Sequence, residues 1–533
     1  MEFQQKASKL LIIFSTAVFF AGISWAAMIP LWQTPDEQAH FAQAQDFAAL
    51  RNRPQSGYST SADIVLSEKY LGVFRDERGN NKFTYHPEYN IEYANSVYGL
   101  YEKEMIAMPA ESRSILSINE ATGYPPLYYL YISAINKQFW SLDLVSRVFL
   151  SRAATVLLSV GLGVVVFNIG KILFKQIFYA YVLAAMAVFQ PMRMFTGSGV
   201  TSDSLMNFIY PLSMLFLLKA DLRPTWKNLI ALILALAALL LTKTQGVFLI
   251  IISLFLWLKV ITGRKNKLVP KLISAVVLLA IAAVIFIGII NRTALRNIIP
   301  QPLLANMFIP EVEDTIGLNS QPFLIDYIKI SAVDFYRQVL PWYWGVYRWL
   351  SLTLPLWVYR VIKIITGLFL IGLITGFKKI KIVANLKPFA WLIGSSLIYT
   401  LGIYAWNLLF WRSKGFSFGI QGRYFFPNLT EHMAILLVGL LVLSPVRFRR
   451  AIGLSLVVLM TVFNWFSLWF VSESYFGSIT NFQTFFLRAS QYKPWFFKTP
   501  FLPGIISLGI ISSGWFLWRF GVELFSQKTM SRK

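Results

Sequence analysis

The 533-residue chain contains no cysteine and only three histidines, His40, His86 and His432. No disulfide can brace its segments, and no thiolate is present to act as nucleophile or metal ligand. Three scattered histidines argue against a multi-histidine metal centre. The chain also lacks a glycine-rich loop of the P-loop or dinucleotide type, which speaks against ATP-driven transport and against a nucleotide-sugar domain. Negative charge is scarce as well: 25 Asp and Glu face 49 Lys and Arg, for a net charge of +24. Apolar residues dominate instead. Hydrophobic residues make up 56% of the chain and aromatics 16%, with a mean hydropathy of +0.56, the composition of an all-α, polytopic membrane protein.

Uncharged runs of about 17–25 residues, long enough to cross a bilayer as helices, predict about twelve transmembrane helices. They fall near 10–29, 148–168, 176–195, 203–219, 226–242, 246–261, 271–290, 355–375, 388–411, 427–444, 451–471 and 501–519. Lys6 and Lys9 precede the first run and no Lys or Arg follows until Arg51, so the first span is expected to run from inside to outside. Both termini then lie in the cytoplasm. The segments that this count makes cytoplasmic are the basic ones, among them Lys171 and Lys175, Arg264 to Lys271, Lys378 to Lys387, and Arg447 to Arg450. The net positive charge is therefore a topology signal at a plasma membrane. Short basic loops beside spans contact anionic lipid headgroups, and nucleic acid is not an expected partner. A cleaved signal peptide is the lesser reading of the N-terminus, because its apolar run of about 20 residues exceeds an ordinary signal core.

On the expected outer side, the segment 30–123 holds 13 acidic and 8 basic residues. For most of those carboxylates a solvated surface is sufficient explanation. Asp36 and Glu37 differ because they stand about six residues beyond the first span, at headgroup depth, where a lower dielectric can tune a carboxylate for use as a base. Further ionisable groups reach the same side at span ends: Arg193, Asp203, Lys243, Arg423 and Glu431. Each has a plain alternative. Arg193 and Lys243 can snorkel to headgroups, Asp203 can cap a helix and Glu431 can pair with Arg423. Together they outline a pocket with carboxylates at one wall and cations at another, as a lipid-phosphate donor requires. Adjacent carboxylates also leave room for a hard divalent cation, Mg²⁺ or Mn²⁺, with Asp36 and Glu37 as its candidate ligands. The Trp/Tyr-rich run Pro341-Trp342-Tyr343-Trp344 reads as an interfacial belt, and 123–140 as an interfacial or re-entrant helix.

The motifs Pro35-Asp36-Glu37-Gln38-Ala39-His40, Tyr124-Pro125-Pro126-Leu127-Tyr128-Tyr129, Ser202-Asp203 and Gln421-Gly422-Arg423-Tyr424 resemble those of a bacterial membrane-protein family, domain of unknown function 2142. That family is itself similar to the GT-C glycosyltransferases. The resemblance implies an extracytoplasmic active site with an acidic residue in the first outer loop and a polyprenyl-phosphate-linked sugar as donor. It makes Asp36 the catalytic carboxylate, with Glu37 as helper or metal ligand. His40, four residues after Asp36, would share a helical face with it if the motif is helical, and would then orient the carboxylate or contact the acceptor. Phosphate contacts of Lys243 and Arg423, and substrate contacts of Arg193, Asp203, Tyr424 and Glu431, rest on charge and sidedness alone. A GT-C-like catalytic region is expected over 1–444, including the outer segments 30–123 and 291–354, with C-terminal membrane helices over 445–533. The expected activity is transfer of a sugar from a polyprenyl-phosphate donor to an envelope glycan or lipid acceptor. A flippase for lipid-linked glycans would use similar lipid contacts but place polar groups near the bilayer midplane, in paired broken helices. A noncatalytic assembly protein would tolerate loss of Asp36.

Overall fold

The computed structural model describes residues 2–49, 58–59, 62–73, 93, 96–109, 117–118, 120–263, 267–290, 324–414 and 417–530. The first part of the second outer segment, 291–323, lies outside them. Nine helices among the described residues are long and apolar enough to cross a membrane: Ser8–Met28, Leu144–Leu173, Ser202–Leu222, Thr244–Thr262, Leu356–Thr375, Leu386–Arg412, Gly422–Leu443, Val446–Phe476 and Phe501–Glu523. Three shorter apolar helices, Ile177–Val188, Trp226–Leu240 and Leu268–Ile281, occupy the remaining three segments expected from the sequence. The molecule is an all-α polytopic membrane protein. Its only strands among the described residues are two antiparallel pairs of two residues each, Tyr58–Ser59 with Ser117–Ile118 and Val346–Tyr347 with Leu352–Thr353.

One expected helix, 176–195, is broken. The helix Ile177–Val188 stops before Pro191, which has no N–H to continue the ladder and disfavours helical backbone at Gln190. Gln190 instead caps a new short helix, Pro191–Thr196, its side chain accepting from the Arg193 backbone N–H at 2.5 Å. The segment after Pro125-Pro126 forms the helix Leu127–Gln138, which buries Tyr128, Tyr129, Ile132 and Asn136 on one face. That face rests on the helix Leu144–Leu173 through hydrogen bonds from Tyr131 to the Ala154 carbonyl, 2.7 Å, and between Tyr128 and Thr155, 3.0 Å.

The tryptophan-rich run does not form an interfacial belt throughout. Tyr343 and Trp344 are each only 8% exposed, and Tyr343 stacks edge-on against Phe426 at 5.3 Å. The absence of a side chain at Gly422 allows this: a Cβ there would stand 2.2 Å from the Tyr343 backbone nitrogen. Polar and aromatic residues thus support the turn that opens the Gly422–Leu443 helix rather than facing lipid.

The two ends of the bundle differ in charge. At one end, Asp221 receives Lys259 and, at 3.1 Å, Lys387, while Asn385 donates to the Ile172 carbonyl at 2.7 Å. This end gathers the basic segments that the sequence assigns to the cytoplasm. The opposite end gathers the turns carrying Asp36, Asp203, Lys243 and Arg423. The helices Leu356–Thr375 and Leu429–Leu443 cross at backbone contact distance, since a Cβ on Gly372 would lie 2.2 Å from the Gly439 carbonyl oxygen and one on Gly439 2.3 Å from that of Phe369. Without a hydrophobic drive between helices in lipid, such close approach is a main source of packing energy. Gly439→Ala is therefore expected to lower the thermal unfolding midpoint in detergent, whereas Gly514→Ala, in a helix position with open space around it, leaves it unchanged or raises it slightly. Equal midpoints for the two variants would refute the close-crossing account.

Candidate active site

The site is built on a buried ion pair. Arg152 enters from the helix Leu144–Leu173, and every N–H of its guanidinium is used. Nε and Nη2 donate to the two oxygens of Glu37 at 2.7 and 2.5 Å. Nη1 donates to the carbonyls of Ala26 and Ile29 at 3.0 and 2.6 Å, and Nη2 also to that of Pro30 at 2.8 Å. Glu37 accepts a third hydrogen bond from the Val200 backbone N–H at 3.0 Å. Both side chains are fully buried. A bidentate arginine that also satisfies the carbonyls ending the first helix fixes where the chain goes next.

It goes into a turn with Asp36 in the left-handed region, φ 57° and ψ 19°. Asp36 precedes the helix Glu37–Ala48, yet its carboxylate makes no capping bond to that helix. It points outward, 45% exposed, and meets Arg423 Nη2 at 3.1 Å. From there a row of alternating charges follows. Gln421 Oε1 accepts from Arg423 Nε at 2.8 Å, Arg423 Nη1 lies 3.9 Å from Asp203, and Asp203 holds the Lys243 ammonium. The Arg423 guanidinium stands 5.7 Å from the Tyr424 ring centre and Lys243 Nζ 5.9 Å from that of Tyr124.

His40 lies one helical turn after Asp36 and is 5% exposed. Its Nδ1 and the Tyr129 hydroxyl are 2.7 Å apart, and its ring lies against Tyr124 at 5.6 Å. Burial holds the imidazole well below its ordinary range, at about 4, against the opposing pull of Asp36; burial also pushes the Tyr129 hydroxyl well above 10. At neutral pH the pair is therefore a neutral imidazole and a protonated phenol.

Asp36, His40, Asp203, Lys243, Arg423 and Tyr424 thus come together, and three other candidates do not. Glu37 is committed to Arg152. Arg193 is 1% exposed and donates to Ser159 Oγ at 2.9 Å rather than to any member of the row. Glu431 is fully buried beside Ser395, Tyr210 and Tyr343, and Arg423 pairs with Asp36 and Asp203 in its place. An Asp36–Glu37 metal site does not fit this arrangement, because both Glu37 oxygens are taken by Arg152 and the neighbouring carboxylates face different partners. Among the described residues no group of three or more Asp, Glu, His or Cys side chains is placed to hold a metal ion.

Over residues 19–430 the sequence matches the family described as predicted membrane protein DUF2142. The chain belongs to the DUF2142 family. The matched stretch contains every member of the charged row. Curated proteins yield no match to this DUF2142 chain. Solved structures similar to it include ArnT from Cupriavidus metallidurans in the apo state, at 13% identity and a TM-score of 0.39, covering 97% of this chain and 78% of that one. A second is the same protein bound to undecaprenyl phosphate, at 12% identity and a TM-score of 0.35, covering 88% and 76%.

Arg152 is the residue of this DUF2142 protein that sequence reasoning missed. It sits inside the expected span 148–168, and an arginine at such a position signals a specific partner. Gln421, which aims Arg423, was visible only as part of a motif.

Removing one member of the buried pair leaves the other charge uncompensated, at a cost of about 3–5 kcal/mol. Arg152→Met and Glu37→Met are each expected to reduce the yield of folded protein and its unfolding midpoint severely, and the double variant to recover part of both. Additive losses in the double variant would disprove the pairing. For His40, the unfolded chain takes up a proton below about pH 6.5, while the folded chain resists it until about pH 4. Its contribution to stability is therefore intact above pH 6.5 and lost progressively as pH falls towards 4. Unfolding midpoints measured from pH 7 to pH 4 are expected to fall less steeply in His40→Gln than in the parent.

Proposed function

We propose that this protein is an integral-membrane glycosyltransferase that moves a sugar from a polyprenyl-phosphate donor to a hydroxyl of an envelope glycan or lipid acceptor. The observation that carries the reading is the juxtaposition of the half-exposed Asp36 with Arg423 and Lys243 at one end of the bundle. The topology expected from the basic segments assigns that end to the extracytoplasmic side.

The chemistry needs two things at one place: a base for the incoming hydroxyl and positive charge for the departing phosphate. Asp36 serves as the base, taking the acceptor proton as the hydroxyl oxygen bonds to the anomeric carbon of the donor sugar. The bond from that carbon to the phosphate oxygen breaks, and the electron pair leaves with the lipid phosphate. Arg423 offers a planar fork and Lys243 a point charge for the growing negative charge. In the free enzyme these cations are neutralised by Asp36 and Asp203. A donor phosphate that draws Arg423 away from Asp36 frees the carboxylate as it binds, so donor binding and activation of the base are one event. Asp203 is a positioning residue that keeps both cations in a row. The energy of transfer comes from the lipid-phosphate linkage, which is consistent with the lack of a nucleotide loop.

The test compares membranes carrying the parent protein with Asp36→Asn at equal expression, measuring transfer of labelled sugar from a polyprenyl-phosphate pool to acceptor. Loss of a general base costs about a hundredfold or more in rate, so Asp36→Asn is expected to lose transfer by at least that factor while still retaining donor. Full transfer by Asp36→Asn would sink this reading. Sugar-lipid movement across vesicles without bond formation would favour a flippase.

A further inference from the structure

One cluster of cations lies where neither the expected topology nor the charged row accounts for it. The helix Leu356–Thr375 is the least buried of the nine spanning helices among the described residues. Trp357, Val361, Ile364, Leu368 and Ile371 recur along it at helical spacing and are all exposed, which marks the stripe that faces lipid. Arg360 interrupts this stripe and is itself exposed, and Lys363 follows one turn later.

The depth of these two cations follows from how the helix packs. It runs beside the helix Leu429–Leu443 in the same direction, since Phe369 meets Gly439 and Gly376 meets Val442. Leu356 therefore belongs to the end of the bundle that carries Arg423, and Arg360 and Lys363 lie about 6 and about 10 Å below it. Lysine and arginine gather at cytoplasmic span ends, and the topology expected from the sequence makes that the opposite end.

A second element closes on the cluster. Over Phe335–Val339 the chain widens into a π turn, a distortion that often marks functional sites. Lys363 Nζ stands 3.7 Å from the centre of the Tyr336 ring in that turn, a cation–π contact that fixes the ammonium. Arg337 comes next and is exposed. The helix leading into the turn, Leu324–Asp334, is anchored by the Tyr327 hydroxyl, which accepts from Asn407 Nδ2 at 3.1 Å and donates to the Tyr404 carbonyl at 2.7 Å. It leaves Ile325, Ile328 and Val333 exposed. Asp334 turns towards Tyr404 and Asn407, and none of the ion pairs among the described residues includes Arg337, Arg360 or Lys363.

Three cations without a carboxylate, bordered by exposed apolar side chains, define what covers them. A charge on the lipid side of a span requires a counter-ion, and the Tyr336 ring serves Lys363 alone. Arginine offers a fork and lysine a point charge, the pair suited to a phosphate. Free inorganic phosphate would neutralise the cations but leave the apolar stripe bare. A lipid supplies the anion and the hydrocarbon together, and it lies along an open surface, so no cavity is needed.

We infer that Arg337, Arg360 and Lys363 form a docking site for the phosphate of an anionic glycerophospholipid whose acyl chains run along the stripe from Trp357 to Ile371. The site is independent of the transfer reaction proposed above.

The cysteine-free chain permits a local probe. A single cysteine introduced by Ile364→Cys and labelled with bimane reports the lipid beside the cluster, with the full chain reconstituted in phosphatidylcholine vesicles that contain either brominated phosphatidylglycerol or brominated phosphatidylcholine. Bromine quenches the label on contact. Brominated phosphatidylglycerol is expected to quench at a lower mole fraction, by about fivefold for each cation that engages it, the weight of one lysine or arginine beside an anionic headgroup. Arg360→Gln should lower this preference about fivefold, Arg360→Gln with Lys363→Gln should reduce it further, and Arg360→Lys should keep it. A bimane at Leu508→Cys, an exposed position equally far into the helix Phe501–Met530, should show no preference. Equal quenching by the two lipids at Ile364, or the same preference at Leu508, would overturn the site, as would a preference undiminished in the double variant. Displacement of phosphatidylglycerol by polyprenyl phosphate at a far lower mole fraction would also overturn it and make the patch an entry point for that lipid instead.

Discussion

A guanidinium inside the helical bundle, with all its hydrogens bound, sets the geometry on which the site depends. Arg152 joins the carbonyls at the end of the first helix to Glu37, so the backbone from Ala26 to Glu37 has little freedom left. Burying both charges is costly, and pairing recovers that cost only when geometry and hydrogen bonding are complete. Here they are. The gain lies in direction: with Glu37 pointing in and the helix Glu37–Ala48 starting beside it, Asp36 takes a left-handed conformation and its carboxylate points out. For a residue with a Cβ that conformation costs about 1–2 kcal/mol, a strain that the surrounding bonds hold in place.

A second constraint is electroneutrality. Asp36, Arg423, Asp203 and Lys243 carry two positive and two negative charges in alternation, and the neutral His40 adds none at physiological pH. The row can persist in a low-dielectric setting because each charge has a neighbour of opposite sign. It is also open to exchange, since an arriving anion can take the place of Asp36 at Arg423 without stranding a cation.

The helical segments were legible because a bilayer demands long apolar runs, and that demand overrides most other signals. Breaks were legible only where proline forced them, as at Pro191, and the sequence reading passed over that one. The shared location of Asp36, Asp203, Lys243 and Arg423 followed from counting spans, which assigns each turn to an end of the bundle. Counting cannot say which way a side chain points. Glu37 and Asp36 are neighbours in sequence yet face opposite ways, and Arg193 and Glu431 approach the same end of the bundle but turn into its interior. The partner of Glu37 lies more than a hundred residues away, and such long-range pairings leave no local pattern.

The first helix is sheathed by the last. Phe14 packs on Phe516 at 5.0 Å, and a Cβ on Gly509 would stand 2.8 Å from Ser24 Oγ; Phe14, Ala17, Val18 and Ala21 are wholly buried. During synthesis the span Ser8–Met28 is therefore made long before its neighbour Phe501–Glu523 exists. Until residues 501–523 leave the ribosome, the flank of Ser8–Met28 that carries Phe14 and Ser24 lacks the partner that covers it in the finished fold.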